Sequence, residues 1–92
     1  NIKNLHYGLG EIMQLEPVSF NWKNGNPDTK LGLIAQDIQK IIPEVVSVGD
    51  DKDNTLGVYY SDLIPVLINA IQDQQEQIND LESRLSRYEA SN

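Results

Sequence analysis

The side chains that could do chemistry in this 92-residue sequence are few and widely spaced. His6 is the only histidine and there is no cysteine, so a multi-histidine or thiolate metal site is not possible, and we predict no Ser/His or Cys/His nucleophile pair. Asp37 and Glu44 are carboxylates near element ends, but no spacing pairs them as general acid and base. We interpret His6 as an ordinary surface residue, and we predict no catalytic residue, no metal ligand and no cofactor within this sequence.

One acidic loop comes closest to a ligand site. Residues 50–54 contain three aspartates and an asparagine, which resembles the start of a calcium-binding loop. That loop needs Gly at its sixth position and Glu at its twelfth, and counting from Asp51 these positions are Leu56 and Asp62. The pattern therefore favours a solvated hairpin tip.

Composition limits the partners. A net charge of −7 argues against a nucleic-acid interface, which needs a basic patch, and no stretch approaches the roughly 18 apolar residues of a membrane span. Only 39% of the residues are hydrophobic in a chain too short for a large core, so oligomerisation is the expected source of additional stability. Because Asn1 is not an initiator Met and no signal peptide follows it, we expect a piece of a longer polypeptide.

The secondary-structure elements that carry the polar side chains discussed above form a small α+β unit over residues 1–60, which we call the head. Alternation predicts a strand in which Val18, Phe20 and Trp22 face the core. The other predicted elements are a helix at Glu11–Leu15 ended by Pro17, a hairpin loop at Asn24–Asp28, a strand at Lys30–Ile34, a helix at Ala35–Ile42 ended by Pro43, a β-prone run at Val45–Val48, and a strand at Leu56–Tyr60.

Residues 61–92 predict one long helix. Ser61 is a favourable N-cap, and Asp62 lies where the helix dipole favours a negative charge. Pro65 falls in or just after the first turn, where it is tolerated, and no Gly or Pro follows it through Asn92. The helix would hold about 30 residues and measure roughly 45 Å.

Apolar residues recur along this helix with a heptad period. With Ile64 at position a, seven of eight a and d positions are apolar or aromatic. We call these eight positions the seam: Ile64, Leu67, Ile71, Gln74, Ile78, Leu81, Leu85 and Tyr88. The seam predicts a parallel coiled coil in which Gln74 fixes the register and Arg84 at g pairs with Glu89 at the next e. Ile at a and Leu at d do not decide between dimer and trimer.

The helix changes character along its length. Between Leu63 and Ile71 it is apolar nearly all round, so this base must be buried on several sides, whereas beyond Ile71 only the seam is apolar. We expect head and helix to form one cooperative domain, with the base packed against both its own head and partner copies. The alternative is an amphipathic helix folded back on its own head, but a 60-residue head has little surface to cover four heptads.

Four blocks of the sequence carry a family resemblance. They are Leu15–Trp22, Leu31–Asp37, Ile42–Val46 and Val58–Ile71. In this order they resemble the C-terminal intramolecular chaperone domain of endosialidase tail spikes, whose relatives end phage tail fibres, neck appendages, bacterial tail-fibre-like proteins and the myelin regulatory factor. The resemblance covers nearly the whole chain. One departure is Tyr59, where the family often has an acidic residue.

The resemblance implies a homotrimer that assists the folding of a fibre or tail-spike stalk preceding it in the same polypeptide. The setting would be a phage virion tail or a bacterial fibre precursor. It further implies release by self-cleavage, through a Ser nucleophile and a Lys base in a Ser-Asp-x-Arg-x-Lys-x-Asn-Ile segment. Asn1 and Ile2 match the last two positions of that segment, so we expect Ser and Lys just upstream and predict that these 92 residues alone are inactive. Lys3 follows the Asn-Ile pair and is not assigned as the base.

Two alternatives to the self-releasing chaperone stay open. The first is a permanent trimerisation cap of a fibre that never cleaves. The second is a calcium- or ligand-binding module tethered by a coiled coil, which only residues 50–54 support.

Overall fold

The computed structural model describes residues 1–91, which form two β-hairpins, short helical segments and one long helix. The α-helices are α1 (Leu9–Ile12), α2 (Ala35–Gln39) and α3 (Leu63–Ala90), the strands are β1 (Val18–Asn21), β2 (Thr29–Gly32), β3 (Val46–Val48) and β4 (Leu56–Val58), and 3-10 turns span Pro43–Val45 and Tyr60–Asp62. The predicted α+β class with a long C-terminal helix is confirmed. Asn92, the last residue of the predicted helix, lies outside the described residues.

Helix α1 begins and ends earlier than the predicted Glu11–Leu15. The Gly8 N–H donates to the Glu11 carboxylate at 2.8 Å, and the Gly8 carbonyl accepts the Ile12 N–H at 3.1 Å, so the helix starts at Leu9. After Met13 the hydrogen bonds tighten to the i→i+3 type, which ends the α-helix well before Pro17.

The first hairpin pairs β1 with β2 in antiparallel register, from Val18 opposite Gly32 to Asn21 opposite Thr29. The predicted alternation is confirmed over β1, because Val18 and Phe20 are half-buried while the residues between and after them are exposed. Strand β2 ends at Gly32, two residues short of the prediction.

Trp22 is not the core residue that the alternation predicted. The strand ends at Asn21, whose side-chain amide donates to the carbonyls of Pro27 and Asp28 and closes the loop there. Trp22 is 55% exposed, with its ring edge-on to Phe20 at 5.2 Å between centroids. The predicted loop is confirmed, and Gly25 supplies its positive φ of 89°.

Helix α2 is shorter than the predicted Ala35–Ile42. The N–H groups of Ile41 and Ile42 both donate to the Ile38 carbonyl at 2.8 Å, which forms a tight turn before the Pro43–Val45 3-10 segment. Ile38 and Ile42 are nevertheless each 1% exposed and belong to the buried core.

The second hairpin pairs β3 with β4, from Val46 opposite Val58 to Val48 opposite Leu56. The prediction that this strand continues to Tyr60 is wrong. Tyr60 begins a 3-10 turn instead, and its hydroxyl accepts the Leu33 N–H at 3.1 Å. This contact explains Gly32, because a Cβ there would lie 2.7 Å from the Tyr60 hydroxyl oxygen.

Helix α3 has 28 residues and is therefore about 42 Å long. Ser61 is not its N-cap: Ser61 lies within the 3-10 turn, and the helix begins at Leu63 after Asp62, which makes no side-chain capping bond. The Cα radius of gyration is 18.8 Å, against about 12 Å for a compact chain of this length, because α3 projects from the head. Within residues 1–91, no helix combines the length and apolarity needed to cross a bilayer.

The core joins the head to the base of α3. Its buried cluster consists of Ile38, Ile42, Val45, Leu63 and Val66. Three of these residues come from α2 and the turns that follow it, and two come from the first turn of α3. The head is therefore assembled directly on the helix base.

Candidate functional site

The seam of α3 is an exposed apolar stripe on the described part of the chain. All eight predicted seam residues lie on α3, and within the protomer their side chains are exposed. The seven apolar members are between 42% and 67% exposed. Apolar surface of this extent is unusual on a monomeric protein and marks an interaction face.

The head covers a different face of the same helix. Leu63, Val66 and Ala70 are buried, and in the heptad frame they occupy positions g, c and g. Position c lies roughly opposite the a/d seam, and g flanks its d side. The base is therefore buried on one side by its own head while Ile64, Leu67 and Ile71 are left open to solvent.

Two polar side chains of α3 hold the N-terminal segment. The Asn69 amide donates to the carbonyls of Leu5 at 3.1 Å and Tyr7 at 3.0 Å. One turn further along, the Asp73 carboxylate accepts the Leu9 N–H at 3.2 Å. We call this arrangement the N-terminal clamp. A Cβ at Gly8 would collide with the Asp73 carboxylate, so glycine permits this close approach.

A second contact ties the clamped segment to the rest of the head. The Tyr7 hydroxyl donates to Glu44 Oε1 at 2.7 Å. This hydrogen bond raises the pKa of Tyr7 and lowers the pKa of Glu44, because it favours the protonated phenol and the ionised carboxylate. His6 is exposed, and its ring stacks at a tilt on Tyr7 with centroids 4.3 Å apart.

An apolar groove runs from the first hairpin to the helix base. We call it the head groove, and its volume is about 380 Å³. It is lined by Ile12, Leu15, Pro17, Leu31, Gly32, Leu33, Tyr60, Leu63 and Leu67. Leu67 belongs to both the groove and the seam, so the two apolar surfaces are continuous.

A comparison with protein families identifies the family of this chain. The family model described as the chaperone of endosialidase matches residues 1–47, just over half of the chain. The chain belongs to this family. No curated protein matches it. The match supports a role as a chaperone of the endosialidase type and confirms the family. Three of the four sequence blocks, Leu15–Trp22, Leu31–Asp37 and Ile42–Val46, lie within the matched residues, and the block Val58–Ile71 lies outside them.

The matched part of this endosialidase chaperone domain is most of the head. Residues 1–47 contain the clamped N-terminal segment, the first hairpin, α2 and the beginning of β3. Helix α3 lies outside the matched residues, although its Leu63 and Val66 complete the core.

The acidic loop is organised by its own hydrogen bonds. The Asp51 carboxylate accepts the Thr55 N–H at 2.8 Å and also bonds the Thr55 hydroxyl. These bonds lower the pKa of Asp51, the hydroxyl bond being the larger cause. In the described part of the chain, no three acidic or histidine side chains converge as a metal site would require. The loop geometry is that of a hairpin tip, with Asn54 at a positive φ of 49°.

Sequence reasoning missed the N-terminal clamp. Asn69 interrupts an otherwise apolar stretch of the helix base, and this polar interruption was the available signal. The bond between Tyr7 and Glu44 joins residues 37 positions apart, and nothing in the sequence marks it. Arg84 was predicted to pair with Glu89 on the helix of another chain. In the structure it pairs with Asp80 of its own helix at 3.1 Å, and the pairing between chains stays a prediction.

Proposed function

We propose that this domain forms a parallel homotrimer through the seam and assists the folding of a fibre or tail-spike stalk that precedes it in the same polypeptide. The exposed seam is the observation that carries the proposal. It offers apolar side chains at heptad spacing from Ile64 to Tyr88, on a face that the head leaves uncovered. Such a stripe is buried when equivalent helices pack knobs into holes around it.

A trimerised C-terminus would help a fibre stalk for a kinetic reason. Strands that must pair between chains fold slowly, because loop closure over long distances precedes the stabilising contacts and register is poorly fixed. Tethering three chains at one end raises their effective concentration towards the millimolar range. The search for partners then becomes local.

We further propose that head and helix act as one cooperative unit, residues 1–60 with 61–92. Leu63 and Val66 are members of the head core, so the first turns of α3 cannot leave without opening that core. The seam lies on the same turns. Assembly through the seam and folding of the head would therefore stabilise each other.

The proposed release step is self-cleavage upstream of residue 1. The N-terminal clamp supports it, because Asn69 and Asp73 hold the segment from Leu5 to Leu9 against the helix base. The clamp would therefore fix the position on the assembled domain from which the upstream residues extend. A Ser nucleophile and a Lys base near the cut could thereby be oriented by assembly.

The oligomeric state is the first test. Size-exclusion chromatography with light scattering should give three times the protomer mass of 10.4 kDa. If light scattering instead gives the mass of a single chain, and this mass does not change with concentration at micromolar levels, the proposal is wrong.

Cleavage is tested on a precursor that extends the chain upstream by its native residues into the stalk. Denaturing gels and mass spectrometry should show one cut, just before the presumed Ser, without added protease, metal or nucleotide. Changing that Ser to Ala should block the cut and leave the trimer intact, whereas Ile78→Asp should slow cleavage by preventing assembly. An uncut precursor in a confirmed trimer would favour a permanent trimerisation cap. If dissociated chains are cleaved as fast as assembled ones, assembly is not required for release and this part of the proposal is wrong.

A further inference from the structure

We infer that the head groove receives Ile68 of a neighbouring copy, so that each head docks on the helix base of the next subunit. This inference rests on the proposed parallel assembly and specifies a contact that the seam alone does not provide. Its occupant is a second copy of this chain. The case comes from where the groove opens around α3 and from which residue the heptad geometry brings there.

The groove opens on one flank of the seam. Leu63 at position g and Leu67 at position d both line it, and g is the neighbour of d around a coiled-coil helix. In a parallel coiled coil, a residue at g faces position e of the following heptad on the adjacent helix, five residues further along. Starting from Leu63, that residue is Ile68 of the neighbouring copy.

The e positions of α3 differ in a way that matches this placement. From base to tip they are Ile68, Gln75, Glu82 and Glu89. The only apolar e residue therefore falls beside the groove, and the polar ones fall further towards the tip than Leu63 and Leu67, the α3 residues that line the groove. In the protomer Ile68 is 51% exposed and is not a member of the buried core.

The groove has an apolar rim that the protomer does not use. Leu31 is 83% exposed on β2, and it lines the groove near the Tyr60 contact. The groove volume of about 380 Å³ is many times the roughly 30 Å³ that one water occupies, so an aliphatic side chain can enter. Docking would cover Leu31 and Ile68 together, and it would link each head to a neighbour as well as to its own helix.

Cross-linking tests the contact directly, because the chain has no native cysteine. A Leu31→Cys/Ile68→Cys double variant, treated with a short bismaleimide, should give covalent dimers and trimers on a denaturing gel. The control is Leu31→Cys/Gln75→Cys, which moves the second cysteine one heptad, about 10 Å, towards the tip and should give far less product.

The outcomes separate this inference from the proposed function. If light scattering shows a trimer but the first variant gives no more interchain product than the control, the docking contact is wrong and the trimer stands. If the wild-type chain does not assemble, both are wrong.

A double-mutant cycle supplies a second measurement. Leu31→Ser and Ile68→Ser each remove an exposed apolar side chain without touching the core, and each should weaken association about tenfold in sedimentation equilibrium. The double variant should be little weaker than either single one, because both remove the same contact. Fully additive effects would overturn the contact between these two residues, and Gln75→Ser should leave association unchanged.

Discussion

The base and the tip of α3 belong to one helix but depend on different surroundings. The base, Leu63–Ile71, has one face in the head core and another face open. Beyond Asp73, where the last clamp bond is made, every described residue of α3 is exposed. Isolated helices are marginal in water, so the tip draws little stability from its own protomer.

This difference assigns separate tasks to the two regions. The base couples the head core to the seam, because each of its turns carries residues of both faces. The tip extends the seam through its remaining five positions, from Gln74 to Tyr88, which would gain stability only when partners cover them. Substitutions in the base should therefore disturb folding and assembly together, and those in the tip should act through assembly.

The largest expected effect is the loss of assembly in Ile71→Asp or Ile78→Asp. Each variant would place like charges together in the seam, at a cost of several kcal/mol per assembly. We expect dissociation and extensive unfolding, measured by light scattering and by helical circular dichroism. Gln72→Asp and Asn79→Asp are matched controls, since each adds the same charge one residue away, outside the seam. A variant that stays trimeric with unchanged melting would show that the seam is misassigned.

Val66→Ala should test the head face of the base. Val66 is buried in the core cluster, so removing two methyl groups should destabilise the folded protein by about 2 kcal/mol per protomer. Urea unfolding at fixed protomer concentration measures this. Val48→Ala makes the same chemical change at an exposed position and should cost far less. Equal costs would mean that the helix base is not packed on the head.

Asn69→Ala should have a smaller effect, localised to the N-terminal clamp. It removes two hydrogen bonds to backbone carbonyls, which corresponds to about 1–2 kcal/mol. Hydrogen exchange of the amides near Leu5–Leu9 should rise more than exchange in α2. Gln75→Ala removes an amide that bonds Asn79 along the exposed helix surface, and it should change stability by less than about 0.5 kcal/mol. Unchanged exchange in Asn69→Ala would argue against the clamp.

Local patterns in the sequence predicted much of the fold. The alternation at Val18 and Phe20, the turn residues around Gly25 and the heptads of α3 depend on neighbours in sequence, and the structure contains the corresponding elements. The errors had both distant and local causes. Tyr60 leaves the strand pattern to bond Leu33, and the long helix starts after a 3-10 turn instead of at Ser61.

The candidate site divides in the same way. The seam could be predicted because its period is written into consecutive heptads, although its burial by partners stays a prediction. The clamp could not, because Asn69 meets Leu5 and Tyr7 across more than 60 residues. Trp22 shows the limit of periodicity, since the end of β1 is set by the Asn21 side chain closing the loop.

The smallest predicted effect concerns pH and the bond between Tyr7 and Glu44. The carboxylate pKa lies below its usual 4.5 in the folded state, so its contribution is present above that value and is lost as pH falls through the folded pKa. The phenol pKa lies above its usual 10.0, so its contribution is present below pH 10.0 and is lost as pH rises through the folded value. The bond therefore stabilises the fold mainly between these limits.

Tyr7→Phe should accordingly lower stability slightly near neutral pH and lose that effect in acid. The difference in urea midpoint between wild type and Tyr7→Phe, measured at equal protomer concentration, should be larger at pH 7 than at pH 3. Tyr60→Phe is the matched control, because its hydroxyl bonds a backbone amide and not a carboxylate, so its cost should be the same at both pH values. A Tyr7→Phe difference that does not narrow at pH 3 would mean that the ionised Glu44 carboxylate contributes nothing to holding the N-terminal segment on the head.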